Sequence, residues 1–197
     1  GARQGILIKN AEALERMKQV DTLIIDKTGT LTEGKPSVSK LIPFADYSEQ
    51  ALLPILYGIN KDSEHPLAKA TNTYAAQQGA TPLAMTGFKA LAGRGVTATY
   101  EGKNYYFGND RLMQEIGATL TEAQRNQVSE VQHKGQTLSF LAIEKEVIAA
   151  VAITDKVKDT AAEAIKALQA QGITVVMLTG DNPTTAQAVA EQIGLTH

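Results

Sequence analysis

The sequence predicts an α/β fold interrupted by an α+β insertion. The apolar run Thr22-Leu23-Ile24-Ile25 leads straight into Asp26 and a Gly29-containing turn, the pattern of a buried strand ending at a loop. The β-branched run Ile173–Leu178 leads in the same way into Thr179-Gly180-Asp181. Between them the hydrophobic period alternates between helical and two, the mark of helices combined with antiparallel hairpins. Ligands of open α/β sheets sit in the crevice beyond the strand ends, so Asp26 has a place to do chemistry.

Each element follows from local signals. Residues 10–19 read as a short helix with Asn10 as a possible N-cap. The Asp26 strand and turn come next. Glu33 to Pro43, punctuated by Gly34, Pro36 and Pro43, suits a crossing to a second domain. Ser48–Ile59 and Pro66–Gln78 read as helices, with Pro66 placed to begin the second and Gly79 to end it. Val96–Tyr100, a Glu101-Gly102-Lys103-Asn104 turn and Tyr105–Phe107 form a hairpin. Asp110–Ile116 and Thr121–His133 return to helix. A second hairpin joins Leu138–Ile143 to Val147–Ile153 through Glu144-Lys145-Glu146. After Asp155 come a helix over Asp159–Gln171 closed by Gly172, the Ile173 strand, and a helix over Thr184–Ile193 ended by Gly194. This order places one domain over 1–35 and 154–197, split by another over 36–153.

Composition narrows the function. The 197 residues are 43% hydrophobic and 20% charged, with a net charge of −2, so nothing advertises a nucleic-acid or anionic-membrane surface. The absence of cysteine excludes disulfides, thiolate metal sites and a cysteine nucleophile. His65, His133 and His197 are too scattered for a histidine metal cluster. The aromatics Tyr100, Tyr105, Tyr106 and Phe107 lack a basic stripe and read as sheet and core residues, not as a base-stacking platform. No stretch approaches the roughly 18 apolar residues of a membrane span, and no signal peptide is visible.

The run Asp26-Lys27-Thr28-Gly29-Thr30-Leu31-Thr32 resembles the phosphorylation motif of P-type ATPases, ion pumps that pass through an aspartyl-phosphate. Taken alone, Asp-Lys-Thr also fits a solvated turn. The length of the match, and a second motif a domain's length away, weigh against that. The resemblance implies a haloacid-dehalogenase-like, Rossmann-type phosphorylation domain interrupted by a nucleotide-binding domain with an antiparallel sheet. It makes Asp26 the nucleophile, Lys27 a neighbouring cation, and Asp26 with Thr28 the magnesium side of the site. Thr28 stands where haloacid-dehalogenase-type phosphatases carry a second aspartate as general acid and base, so hydrolysis of the acyl phosphate is expected to be slow. Thr179-Gly180-Asp181 resembles the family's Thr-Gly-Asp turn, with Thr179 and Gly180 on phosphate oxygens and Asp181 on the nucleotide or metal side. A helix opening near Thr184 adds a favourable dipole. Asp155 resembles the acidic residue at the family's domain junction.

Ser63-Glu64-His65-Pro66 resembles the Ser-Glu-His-Pro motif of the heavy-metal-transporting members, where the histidine lies against adenine. A neighbour such as Glu64 can fix its ring nitrogens; the plainer reading is an unliganded histidine at a helix start. Gly93-Arg94-Gly95 resembles the family's Gly-x-Gly turn beside the ATP phosphates, where a missing Cβ lets the backbone approach, and Gly108-Asn109 resembles its next nucleotide contact. Asn60 stands where copper pumps often carry a glutamate that reads the adenine amino group, and its amide oxygen offers an uncharged acceptor. The resemblance therefore implies ATP and Mg2+ as cofactors, with copper or silver favoured over zinc or cadmium as cargo. Further partners are the membrane helices and actuator domain of the same polypeptide, with the transported ion bound elsewhere. This segment would be part of a cytoplasmic loop of an integral membrane protein.

Gly5-Ile6-Leu7-Ile8-Lys9 resembles the segment leaving the last membrane helix before the site. The family's phosphate-contacting lysine and its Gly-Asp-Gly-x-Asn-Asp magnesium segment are not in the sequence, so the expectation is a fragment that binds ATP without phosphorylating itself. The rival readings are a soluble haloacid-dehalogenase-type phosphatase and a non-catalytic nucleotide-binding module, with a potassium-type pump as a lesser variant.

Overall fold

The computed structural model describes residues 6–8 and 22–195. In chain order the described elements are β1 (Ile6–Ile8), β2 (Thr22–Asp26), β3 (Ser37–Pro43), α1 (Glu49–Asn60), α2 (Pro66–Gln77), β4 (Thr86–Leu91), β5 (Gly95–Tyr100), β6 (Lys103–Gly108), α3 (Asp110–Glu115), α4 (Glu122–His133), β7 (Thr137–Ile143), β8 (Glu146–Thr154), α5 (Ala161–Ala170), β9 (Thr174–Leu178) and α6 (Pro183–Gln192). They divide into two compact units. The first comprises Gly1–Lys35, Val131–Gln136 and Asp155–His197, the second Pro36–Glu130 and Thr137–Thr154. The helix expected over residues 10–19 lies outside the described residues.

The first unit holds a three-stranded parallel sheet in the order β1-β9-β2. Central β9 buries Val175, Val176 and Met177 completely. Ile165 of α5 and Ala186, Val189 and Ala190 of α6 pack with Val175, Met177 and Leu31 into one apolar cluster. β2 departs from the expectation of a buried strand: Leu23 is 40% and Ile24 46% exposed. β2 is an edge strand of the described sheet, as is β1, whereas β9 has a neighbour on each edge.

The second unit is built on a six-stranded antiparallel sheet, β3-β8-β7-β6-β5-β4. Leu52, Leu56 and Ile59 of α1 pack with Val96, Phe107, Leu141, Ile148 and Val151 of the sheet. Local chemistry sets the helix ends. The Ser48 hydroxyl accepts the Ala51 amide at 3.1 Å, and Pro66 opens α2, where its missing N–H costs no hydrogen bond. Glu101 and Gly102 both take positive φ, +49° and +77°, in the tight turn that joins β5 to β6.

Two strands fall where none was expected. Ser37–Pro43, read as a crossing, is edge strand β3 paired with β8, and a bulge between Val38 and Lys40 breaks its alternation. Thr86–Leu91 is edge strand β4; it is largely exposed and shows no buried face to betray it.

The glycines of the Gly93–Gly95 turn serve different ends. Gly95 and Gly108 face each other in the β5–β6 register. A Cβ on Gly95 would overlap the Phe107 carbonyl, and one on Gly108 the Arg94 carbonyl. The close approach that requires these two glycines is therefore strand against strand, a reason other than the ligand approach read from the sequence. Gly93 has φ +71° and open space where its Cβ would stand. Gly95→Ala and Gly108→Ala should each lower the unfolding free energy by about 1–3 kcal/mol through overpacking. Gly93→Ala should cost only the ~1 kcal/mol of a left-handed backbone. Urea denaturation of the three variants checks the order.

Candidate functional site

Parallel pairing brings the two motifs together. β2 and β9 pair in a register that sets Asp26 beside Leu178, so both strands end at the same level. Asp26-Lys27-Thr28 and Thr179-Gly180-Asp181 therefore leave the sheet side by side. Asp26, Thr28, Leu178, Thr179 and Gly180 line a cleft of about 450 Å3 beyond the strand ends.

The turn after Asp26 is closed by the Thr32 amide donating to the Lys27 carbonyl at 3.0 Å. Gly29 takes φ +78° with nothing near its missing Cβ, so backbone conformation, not space, calls for glycine. The Gly29 amide donates to Thr32 Oγ1 at 3.0 Å. Asp26 and Thr28 are exposed and line one cleft, which suits Asp26 as a nucleophile for an incoming electrophile.

Lys27 is placed differently from the simple neighbouring cation expected. Its Nζ forms an ion pair with Asp181 Oδ2, with the two side chains 8% and 11% exposed. The pair ties one motif to the other beneath the cleft and spends the Lys27 charge on Asp181. Thr179 Oγ1 accepts the Asp181 amide at 3.1 Å, which leaves its own proton to donate to an oxygen in the cleft. Helix α6 starts at Pro183, and the Asn182 side chain accepts the Thr185 amide at 2.9 Å as its N-cap. Thr185 in turn donates to the Gln136 carbonyl at 3.0 Å.

In the second unit, His65 is exposed and caps α2: its Nδ1 accepts the Leu67 amide at 3.2 Å. Leu67, not Glu64, is the neighbour that fixes the ring. Glu64 is 90% exposed and pairs with Lys69 at 3.1 Å, a contact worth little in water. Gly93 and Gly108 are tied together by Asn109. Its Nδ2 donates to the Gly93 carbonyl at 2.9 Å, its amide to the Arg94 carbonyl at 2.9 Å, and its Oδ1 caps α3 through the Leu112 amide at 3.0 Å. The sequence marked Gly108-Asn109 as a contact but gave no hint of this staple.

Asn60 departs from its expected role as an adenine reader. It is 1% exposed, and its Nδ2 donates to the Leu56 carbonyl at 2.9 Å within α1. Its backbone carbonyl accepts from Asn72 Nδ2 at 2.8 Å. As the last residue on the buried face of α1, its carboxamide serves the fold.

Burial pushes the phenols of Tyr74 and Tyr105 up, with Glu49 adding to the first and Tyr47, Glu101 and Tyr100 to the second, so both stay neutral near pH 7. Among the described residues no group of three or more His, Asp, Glu or Cys side chains gathers as a metal site. Asp26 and Thr28 line the cleft, and a carboxylate with a threonine is a partial donor set of the kind magnesium accepts when it keeps waters and takes phosphate oxygens.

An aspartate and a Thr-Gly-Asp turn at the carboxyl ends of adjacent parallel strands are the layout of an open α/β domain, with a ligand crevice beyond the strand ends. The chain belongs to the haloacid dehalogenase-like hydrolase family, whose model matches residues 20–197. It is 43% identical over 195 residues to a silver-exporting P-type ATPase of Salmonella typhimurium, covering 99% of this chain and 24% of that one. It is 41% identical over 198 residues to a copper-exporting P-type ATPase of Legionella pneumophila, covering 99% and 26%. Among solved structures, a zinc-transporting PIB-type ATPase matches with a TM-score of 0.60 at 32% identity, over 93% of this chain and 29% of that one. The catalytic domain of a CPx-ATPase, CopB-B, matches with a TM-score of 0.67 at 25% identity, over 96% and 64%. The likeness to heavy-metal P-type ATPases read from the motifs thus extends along nearly the whole chain. The chain spans about a quarter of the length of the curated relatives it matches.

The buried Lys27–Asp181 pair gives a direct test. Lys27→Met removes the cation beside a largely buried carboxylate and should lower stability by about 3–5 kcal/mol. Lys27→Met combined with Asp181→Asn should cost less than the sum of the single changes. Guanidinium unfolding of the three variants measures both.

Proposed function

We propose that this chain is the nucleotide-binding and phosphorylation region of a P-type ATPase that exports a transition-metal ion, copper or silver. The observation that carries this reading is the Asp26–Leu178 register, which sets the nucleophile motif and the Thr-Gly-Asp turn over one cleft. Relatives along the chain's length, a silver exporter and copper exporters among them, support the cargo. No helix among the described residues is long and apolar enough to cross a membrane. The chain is read as part of a cytoplasmic loop, working with membrane helices and an actuator domain of the same polypeptide.

In this reading an Asp26 carboxylate oxygen attacks the γ-phosphorus of ATP. A bond forms from Asp26 to phosphorus, the bond to the bridging oxygen breaks, and ADP leaves with that oxygen. Thr179 donates its hydroxyl proton to a phosphate oxygen, and the Gly180 backbone approaches closely because no Cβ intervenes. Asp26 and Thr28 would hold Mg2+, which supplies charge neutralisation of the phosphate when bound. Thr28 has no titrating side chain to pass a proton to water, so the acyl phosphate persists long enough to drive a conformational change. Nucleotide binding falls to His65 against the base, with Gly93, Gly95 and Gly108 beside the phosphates and Glu64 at the rim.

Titration of this chain with ATP, followed by amide NMR, should shift His65, Gly93 and Gly108. His65→Ala should weaken binding by about 1–3 kcal/mol, the scale of one base-stacking contact. In the full-length polypeptide, label from γ-labelled ATP should appear on Asp26 and vanish in Asp26→Asn. ATP turnover by Asp26→Asn at the unmodified rate would end the proposal.

A further inference from the structure

Asp155 stands at the start of the segment that returns to the first unit, and both its oxygens are engaged. Oδ2 accepts the Thr32 hydroxyl at 2.8 Å, and Oδ1 accepts the Lys35 amide at 3.1 Å. Thr32 is 1% exposed, and its Oγ1 also takes the Gly29 amide at 3.0 Å. A hydroxyl has one proton to give. The Lys27 carbonyl lies 3.3 Å from the same oxygen, but the carboxylate is nearer and charged, so the proton goes to Asp155. The Asp155 charge therefore fixes the direction of the Thr32 O–H and leaves the oxygen's lone pairs for Gly29.

The turn that aims Asp26 thus depends on a carboxylate 123 residues beyond the threonine that closes it. The backbone around Asp155 is held independently of its side chain. Glu33 donates to the Lys156 carbonyl at 2.8 Å, Lys158 to the Leu31 carbonyl at 2.9 Å, and Thr32 bridges to Val157. Removing the carboxylate should leave this small ladder in place and release only the hydroxyl and what the hydroxyl holds.

We propose that Asp155 is a positioning residue for phosphorylation of Asp26, acting through Thr32. Its charge orients the Thr32 hydroxyl, the hydroxyl captures the Gly29 amide, and the captured turn keeps Asp26 and Thr28 at the cleft. Lys35, whose amide shares the same carboxylate, is the last residue of the first unit before Pro36, and Asp155 opens that unit's final segment. The loop that carries the nucleophile is thereby tied to the first and the last of the chain's crossings between the units. This inference rests on the reading of Asp26 as the phosphorylated residue.

The test uses the full-length polypeptide with Asp155→Ala, Thr32→Val, the two combined, and Thr32→Ser. Phosphorylation of Asp26 at saturating ATP should slow about ten- to a hundredfold in each of the first two, the scale of a small misplacement of a reacting group. The double variant should be no slower than the worse single one, ATP affinity should stay within about twofold, and Thr32→Ser, which keeps the hydroxyl, should retain the rate. Additive losses, unchanged rates, or a parallel fall in ATP affinity and melting temperature would overturn the inference. Label on Asp26 with all variants at full rate would remove the inference and leave the proposed function standing. Absence of label in the unmodified polypeptide would remove both.

Discussion

Everything at the candidate site depends on the parallel ladder between β2 and β9. Parallel strands have no hairpin to set their register, so the alignment must come from the faces they bury. β9 supplies Val175, Val176 and Met177 to the interior, and Ile25 of β2 packs against the same cluster. A slip of β2 by one residue would turn Ile25 away from that cluster and separate Asp26 from Leu178. The chemistry is thus inherited from packing. Two motifs distant in the sequence become neighbours because their strands share one core and stop at one height.

Around that ladder the polar groups divide the work. The buried Lys27–Asp181 pair bridges the two loops, and close, mutual contact offsets its cost in desolvation. Thr32 closes one loop from below, and Asn182 and Thr179 settle the other. What lines the cleft above them is Asp26, Thr28, Leu178, Thr179 and Gly180. The second unit shows the same economy, with the Asn109 side chain binding a glycine turn and a helix start at once.

Much of this was legible in the sequence, for stated physical reasons. The β5–β6 hairpin announced itself through period-two alternation around Gly102, and α1 and α2 through Ser48, Pro66 and Gly79. Contiguous motifs were equally plain, because a strand, a turn and a carboxylate sit in one short run. β3 and β4 were hidden by a bulge in one and by exposure of nearly every residue in the other. Leu23 and Ile24 misled, since an apolar run does not reveal which strand will be outermost. Long-range pairings such as Lys27 with Asp181, 154 residues apart, leave no local trace. Asn60 looked available because sequence position says nothing about which face of a helix is covered.

The contact between His65 and Leu67 also settles the chemistry of the imidazole's far edge. With Nδ1 occupied as an acceptor, the neutral ring carries its hydrogen on Nε2 and offers a donor outward. One ring thus closes a helix end with one nitrogen and leaves the other to face outward.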